Sequence, residues 1–275
     1  GPGYLDATNV RIQMNGPRHA DGIRAYGPQS NILLKDSSIT VSGTENLGLM
    51  SWDRSNVTLV NTTVESLATE LNATDDFPVA GARFYNGSQL TLNGTTSIRA
   101  VEPNVHGVYI QTAGALNTNT DSAATGRASV TTSGSSGHAV RIYYGSGLLN
   151  RLDIATSGSG AYGLYVHGTS TVSGSDVNVT TSAASGYGLW AANNTTLTLN
   201  GGSSRTAGTN AYGLLAGTSS GITTVNLSGF DIETRGSGAH GIYGWTASTT
   251  NFAGGSVSTA FDSVFAVYAN AGTVN

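Results

Sequence analysis

Apolar and polar residues alternate along this chain in short runs, as in Asn56-Val57-Thr58-Leu59, Gln89-Leu90-Thr91-Leu92 and Thr196-Leu197-Thr198-Leu199. A period of two puts all the aliphatic residues of a run on one face, which is the signature of a strand with one buried side. Turn formers such as Asn61, Asn93 and Asn200 end the runs, and Gly-Ser-Gly segments lead onward at 157–160 and 236–238. No stretch shows the period of an amphipathic helix.

A second pattern overlies the first. A small residue followed by an aliphatic and then an amphipathic residue returns throughout the chain. Examples are Gly22-Ile23-Arg24, Gly48-Leu49-Met50, Gly107-Val108-Tyr109, Gly163-Leu164-Tyr165, Gly188-Leu189-Trp190 and Gly241-Ile242-Tyr243. The small residues fall at 22, 48, 81, 107, 139, 163, 188, 213, 241 and 266, so successive spacings are 26, 33, 26, 32, 24, 25, 25, 28 and 25. A period near 25 with two long members predicts regular coils with loops inserted near 68–78 and 117–127. Each period holds two further alternating segments. One is the Asn56–Leu59 type, and the other is seen at Ser38-Ile39-Thr40-Val41, Asp176-Val177-Asn178-Val179 and Ser256-Val257-Ser258.

Three short strands per period describe one rung of an all-β, right-handed parallel β-helix of about ten rungs. One rung cannot bury its apolar face alone, whereas stacked rungs share a core and pair their backbones. Alternation then sends Ile23, Leu49, Val108, Val140, Leu164, Leu189, Leu214, Ile242 and Val267 inward as one column, with Ala25, Ile110, Ile142, Val166, Ala191 and Ala216 as a second. The intervening residues point outward: Arg24, Met50, Arg83, Tyr109, Arg141, Tyr165, Trp190, Leu215, Tyr243 and Tyr268. The residue before the small one is His106, His138, Tyr162, Tyr187, Tyr212 or His240 in the later rungs. Strict alternation points these inward, and a bend at the glycine points them outward; both arrangements are open at this stage.

Composition sharpens this picture. Charged residues make up 10%, Gly numbers 38 and Pro only 5. The recurring β-branched residues and the low charge separate the chain from disordered sequences. A net charge of −4, with Lys35 as the sole lysine, argues against nucleic acid as a partner. No run approaches a membrane-spanning helix. The absence of cysteine in a secreted chain means that stacking, not cross-linking, supplies stability. Gly1-Pro2-Gly3 reads as a vector-derived remnant, leaving 4–275 as a single β-helix, and Asn275 falls inside a repeat, so a fragment is expected.

The rung Ala161-Tyr162-Gly163-Leu164-Tyr165-Val166, with its Ser/Thr-rich strands and Gly-Ser-Gly turns, resembles the passenger repeats of bacterial autotransporters, pertactin-like and self-associating adhesins in particular. The likeness covers about 20–275. It implies display at the bacterial cell surface or secretion, with an N-terminal signal and a C-terminal outer-membrane barrel in the intact protein. It also implies adhesion.

Other β-helices cleave polysaccharides, so the carboxylates matter. Glycoside hydrolysis needs two of them facing one bond. The adjacent pair Asp75-Asp76 lies in the first insertion with Glu70 nearby and reads as a solvated loop, while Asp6, Asp21, Asp36, Asp53 and Asp153 are scattered. His106 and His138 hold equivalent places on neighbouring rungs and read as a structural pair rather than a metal site. No catalytic residue, metal or cofactor is expected, and the chain reads as no enzyme. The candidate ligand-binding residues are Arg24, Arg83, Tyr109, Arg141, Tyr165 and Trp190, an outward stripe suited to a host matrix protein or an acidic glycan. Polar ladders containing Thr58, Thr91, Thr198 and Asn226 suggest the alternative, a second copy of the same rod. A polysaccharide lyase or hydrolase is a distant third.

Overall fold

A computed structural model describes residues 3–70, 78–121, 125–218 and 220–275. Among them every helical or extended element is a strand, and all pairings are parallel. The chain is a parallel β-helix. One face is a ten-stranded sheet that collects the glycine-motif strands from Ile23–Tyr26 to Val267–Ala269, and seventeen strands form the remaining faces.

The predicted inward column is the observed register. Ile23 pairs with Leu49, Leu49 with Ala82, Ala82 with Val108, and the series runs on through Val140, Leu164, Leu189, Leu214 and Ile242 to Val267. From Ile23 to Ile242 these side chains meet Leu59, Leu92, Leu149 and Leu199 of the second face and Val64, Ile98, Val130 and Ile154 of the third in one continuous core, whereas Val267, predicted inward, is 45% exposed on the last rung, with no further rung described to cover it. Tyr4–Thr8 and Arg11–Arg18 pair with Asn31–Lys35 and Ser38–Thr44, so the rod starts ahead of the first glycine motif.

Three separate strands per rung are found in the first half and again in the rung of Ile242–Gly244, Ser248–Ala253 and Val257–Thr259. Between Ser146 and Thr234 the second and third strands fuse into long elements, Ser146–Thr156, Thr171–Thr181, Thr196–Thr206 and Thr223–Thr234. A residue with positive φ turns the corner inside each: Arg151 at 48°, Asp176 at 56°, Gly201 at 68° and Gly229 at 58°. One left-handed residue, or at Gly201–Gly202 two, redirects the chain while the ladder to the next rung continues, so the expected turn at Asn200 is not an interruption.

The third corner is closed by a column of buried threonines. Thr132, Thr156, Thr181 and Thr234 donate their hydroxyls to the carbonyls of Gly137, Ala161, Gly186 and Ala239 at 2.6, 3.0, 2.5 and 2.8 Å, and Thr206 donates to Ala211. Each ties the end of one rung to the start of the next and satisfies a carbonyl shut away from water. The small residue that follows is there for space. A Cβ on Gly163 would meet Cγ1 of Val179 and stand 2.7 Å from the Gly188 carbonyl oxygen.

Of the two expected insertions, residues 71–77 and 122–124 lie outside the described residues, Asp75 and Asp76 among them. Asn117 and Thr118 belong to the strand Ala115–Thr118.

Candidate ligand-binding flank

The glycine-motif sheet carries two outward columns that meet along the rod. The chain bends at the small residue, so the side chain before it turns outward and packs beside the one two positions after it. This settles the choice left by alternation. His106, His138, Tyr162, Tyr187, Tyr212, His240 and Phe265 form one ladder, with successive ring centroids 5.0, 4.4, 4.9, 5.0, 5.5 and 5.4 Å apart and planes 14°, 12°, 8°, 3°, 26° and 24° from parallel. The rung spacing of a parallel sheet, about 4.8 Å, is itself a good stacking distance, so the backbone sets the ladder.

In the second column, Tyr165 and Trp190 stack at 4.4 Å and 15°. They stand edge-on to the first ladder, with Tyr162–Tyr165 at 80° and Tyr162–Trp190 at 86°. The faces of the first ladder are occupied by neighbouring rings along the rod, and the Tyr165 and Trp190 planes stand nearly perpendicular to them, with His167 stacked on Tyr165 at 4.1 Å. Burial and the flanking Tyr162 and Tyr212 phenols push the Tyr187 phenol up to about 12, so it stays protonated.

Five of the six predicted ligand residues come together. The Arg83 guanidinium lies 5.1 Å from the Tyr85 ring and 6.0 Å from Tyr109, and that of Arg141 lies 5.1 Å from Tyr109 and 5.7 Å from Tyr165. Arg83, Tyr109, Arg141, Tyr165 and Trp190 thus form a continuous column in which cations alternate with rings. Arg24 stands apart: Met50 separates it from Arg83 in the register, and its guanidinium is bonded to Asp21 at 2.6 Å.

The exposure of this column differs from the sequence expectation. Arg83, Tyr109 and Arg141 are only 3%, 0% and 8% exposed, while Tyr165 and Trp190 are partly open. A small second apolar cluster of Leu47, Ala68, Val79, Ala80, Ala100 and Val105 packs around Tyr109 outside the main core. Parity along a strand tells which side of the rung a residue leaves from. It does not tell what packs over it.

Beside the buried arginines lie three imidazoles. His138 N–H donates to Nδ1 of His106 at 3.0 Å, and Tyr162 N–H donates to Nδ1 of His138 at 3.0 Å. Arg141 Nε donates to Nε2 of His167 at 3.1 Å. Burial, with Arg141 and His167 adding repulsion, drives His106 down to about 3, and burial with Arg141 drives His167 down to about 3. Burial also drives His138 well below its usual value, with smaller contributions from His106, Arg141 and His167. All three are neutral acceptors at pH 7. His106 and His138 are a stacked pair, and among the described residues no group of three His, Cys, Asp or Glu is placed to hold a metal ion.

Three arginines that sequence reasoning passed over sit on a different face. Arg99, Arg205 and Arg235 have side chains 57%, 53% and 67% exposed, paired with Glu65 and Glu233. The signal was present, since Arg99 and Arg205 occupy the same outward place in aligned third strands.

The architecture is a parallel β-helix, the fold that the resemblance of its repeats implied. A chain of the complex whose cryo-EM structure is described as the Vag8–C1 inhibitor complex superposes with a TM-score of 0.77 at 19% identity, over 97% of this chain and 65% of that one. At that identity the likeness is one of fold, and the chain spans about 65% of its structural counterpart. No protein-family model and no curated protein matches the sequence.

Proposed function

We propose that this rod is the passenger of a bacterial surface adhesin, an outer-membrane-anchored autotransporter in its intact form, and that it binds a host matrix protein or an acidic glycan without catalysing a reaction. The observation that carries this reading is the aromatic flank. Seven consecutive rungs hold stacked His, Tyr and Phe rings beside Tyr165, Trp190, Tyr243 and Tyr268, part of them open to solvent. Tyr and Trp held rigid by their neighbours cost little entropy on binding, which is why they concentrate at the energetic centres of protein interfaces. The similar chain in complex with C1 inhibitor supports a rod of this kind binding a protein.

A second reading, association between copies, is favoured by one column on the second face. Thr58, Thr91, Asn117, Leu148, Ser173, Thr198, Asn226 and Asn251 align outward at one-rung pitch. Part of its hydrogen-bonding capacity is spent internally, however. Asn226 donates to Thr198 at 3.2 Å, Asn251 to Asn226 at 2.8 Å and Asn275 to Asn251 at 2.8 Å. That weakens the case for a self-complementary zipper.

The test applies the purified rod to immobilised matrix proteins and acidic glycans, and in parallel to sedimentation across a concentration series. Saturable binding by a monomeric rod supports adhesion. A concentration-dependent dimer with no ligand binding replaces it with the second reading.

A further inference from the structure

The third face carries a trough along the rod axis. Its outward register column is Glu65, Arg99, Thr131, Ala155, Thr180, Arg205 and Glu233. The three central members are short and the members at both ends are long and charged. The opposite wall is built from Ser133, Ser157, Ser182 and Ala207, the residues that follow the corner threonines, again with an arginine, Arg235, at one end. Two concavities of about 360 and 180 Å³ result, and they share Thr180 and Ser182, so they form one groove from Arg99 to Arg235.

Of the arginines, Arg83 and Arg141 are buried among rings, and Arg127 is clamped between Asp153 and Asp176. Arg99, Arg205 and Arg235 keep exposed guanidinia, and all three line this one groove. Against them stand Glu65, bonded to Arg99 at 2.7 Å, and Glu233, shared by Arg235 at 2.5 Å and Arg205 at 3.6 Å. The groove therefore carries an excess of positive charge in a chain whose net charge is −4. Of the carboxylates in the next outward column, Asp153 is held by Arg127 and Asn178, and Asp231 accepts from the Ser256 amide and hydroxyl.

We propose that this trough is the adhesin's glycan site and that its ligand is a linear acidic glycan lying along the rod axis; the assignment rests on the adhesion reading and leaves the aromatic flank as the surface for a protein. Arg99 and Arg205 are four rung steps apart, about 19 Å at the parallel-strand pitch. A pyranose in an extended chain advances by roughly one rung, so a run of four or five sugars joins the two guanidinia. The hydroxyls of Thr131, Ser133, Ser157, Thr180 and Ser182 recur along that path at the same step, as sugar hydroxyls require. Arginine at both ends recognises carboxylate or sulfate in a planar, bidentate manner. The short side chains at 131, 155 and 180 leave the depth for the sugar rings.

The experiment measures binding of octasaccharides prepared from heparin and from polygalacturonate, a sulfated and a carboxylated probe. Wild-type rod is compared with R99A, R205A/R235A, Ala155→Trp and the off-site control Arg54→Ala, and circular dichroism checks folding of each. Ala155→Trp fills the trough without altering charge. The expected result is a loss of about tenfold for R99A and for Ala155→Trp and more for R205A/R235A, with Arg54→Ala unchanged. Affinity is also expected to fall as salt rises. A preference for one probe identifies the anionic group. Binding that survives all three trough variants overturns the trough while leaving acidic-glycan adhesion intact. No binding of either probe by the wild-type rod overturns both the trough and the glycan form of the adhesion reading.

Discussion

The amide of Tyr162 donates to Nδ1 of His138 at 3.0 Å, and the two rings stack at 4.4 Å and 12°. One imidazole thus completes the backbone of the next rung and continues the ring ladder. His240 does the same for Phe265 at 2.9 Å. Where tyrosine occupies the position, the stack is kept and the acceptor is lost.

Burial of three imidazoles makes the rod sensitive to acid. His106 and His167 are held at about 3, against about 6.5 in an unfolded chain. Between those values the unfolded state binds more protons, so stability is full above about pH 6.5 and declines as pH falls toward 3. His138, lowered in the same direction, adds to the decline. Urea midpoints at pH 7.5 and pH 4.5 are expected to differ in the wild type. His138→Asn, whose Oδ1 replaces the acceptor without titrating, is expected to show a smaller difference. Equal slopes for the two proteins would remove His138 from the account.

Gly163 is required for space rather than for backbone freedom. Its Cβ would meet Val179 and the Gly188 carbonyl, so Gly163→Ala is expected to destabilise the rod by about 1–3 kcal/mol, the usual cost of overpacking. Ala139→Gly, at the equivalent place one rung earlier, is expected to cost no more than about 1 kcal/mol. Chemical denaturation of the two variants checks the contrast.

Leu164 is fully buried between Val140 and Leu189. Leu164→Ala is expected to cost about 2–5 kcal/mol. In a quasi-one-dimensional stack the damage stays near its origin. Hydrogen exchange is expected to quicken in the rungs around 140–190 and to stay unchanged at Ile39 and Ile232. Uniform acceleration would show that the rod unfolds as one cooperative unit.

Arg141 is a structural cation here. Arg141→Met keeps the bulk and removes the charge that lies over Tyr109 and Tyr165. A stability loss of about 2 kcal/mol is expected, with glycan affinity unchanged. A loss of affinity without a change in melting would restore Arg141 to the ligand site.

Sequence reading reached the inward columns because burial imposes two periodicities at once, two along the strand and about 25 along the coil. Val140, Leu164 and Leu189 satisfy both. Fusion of the second and third strands escaped it, since Asn200 reads as a turn former and Asp176 as the start of a separate strand, yet the chain bends at Asp176 and Gly201 inside strands that continue. The enclosure of Arg83, Tyr109 and Arg141 escaped it too. Whatever covers an outward residue obeys no period, and the small cluster around Tyr109 draws on Leu47, Ala68 and Val105 from three different rungs. The trough was hidden for a related reason: its depth comes from small residues such as Ala155, which draw no attention in a sequence.

Outward side chains of a ladder such as Thr198, Asn226 and Asn251 bond to the turns immediately above and below them. Such an exterior can be rewritten one turn at a time, by exchanging a residue or adding a coil, while the aliphatic interior goes on dictating the same register. A molecule assembled in this manner presents a changing face on an unchanging spine.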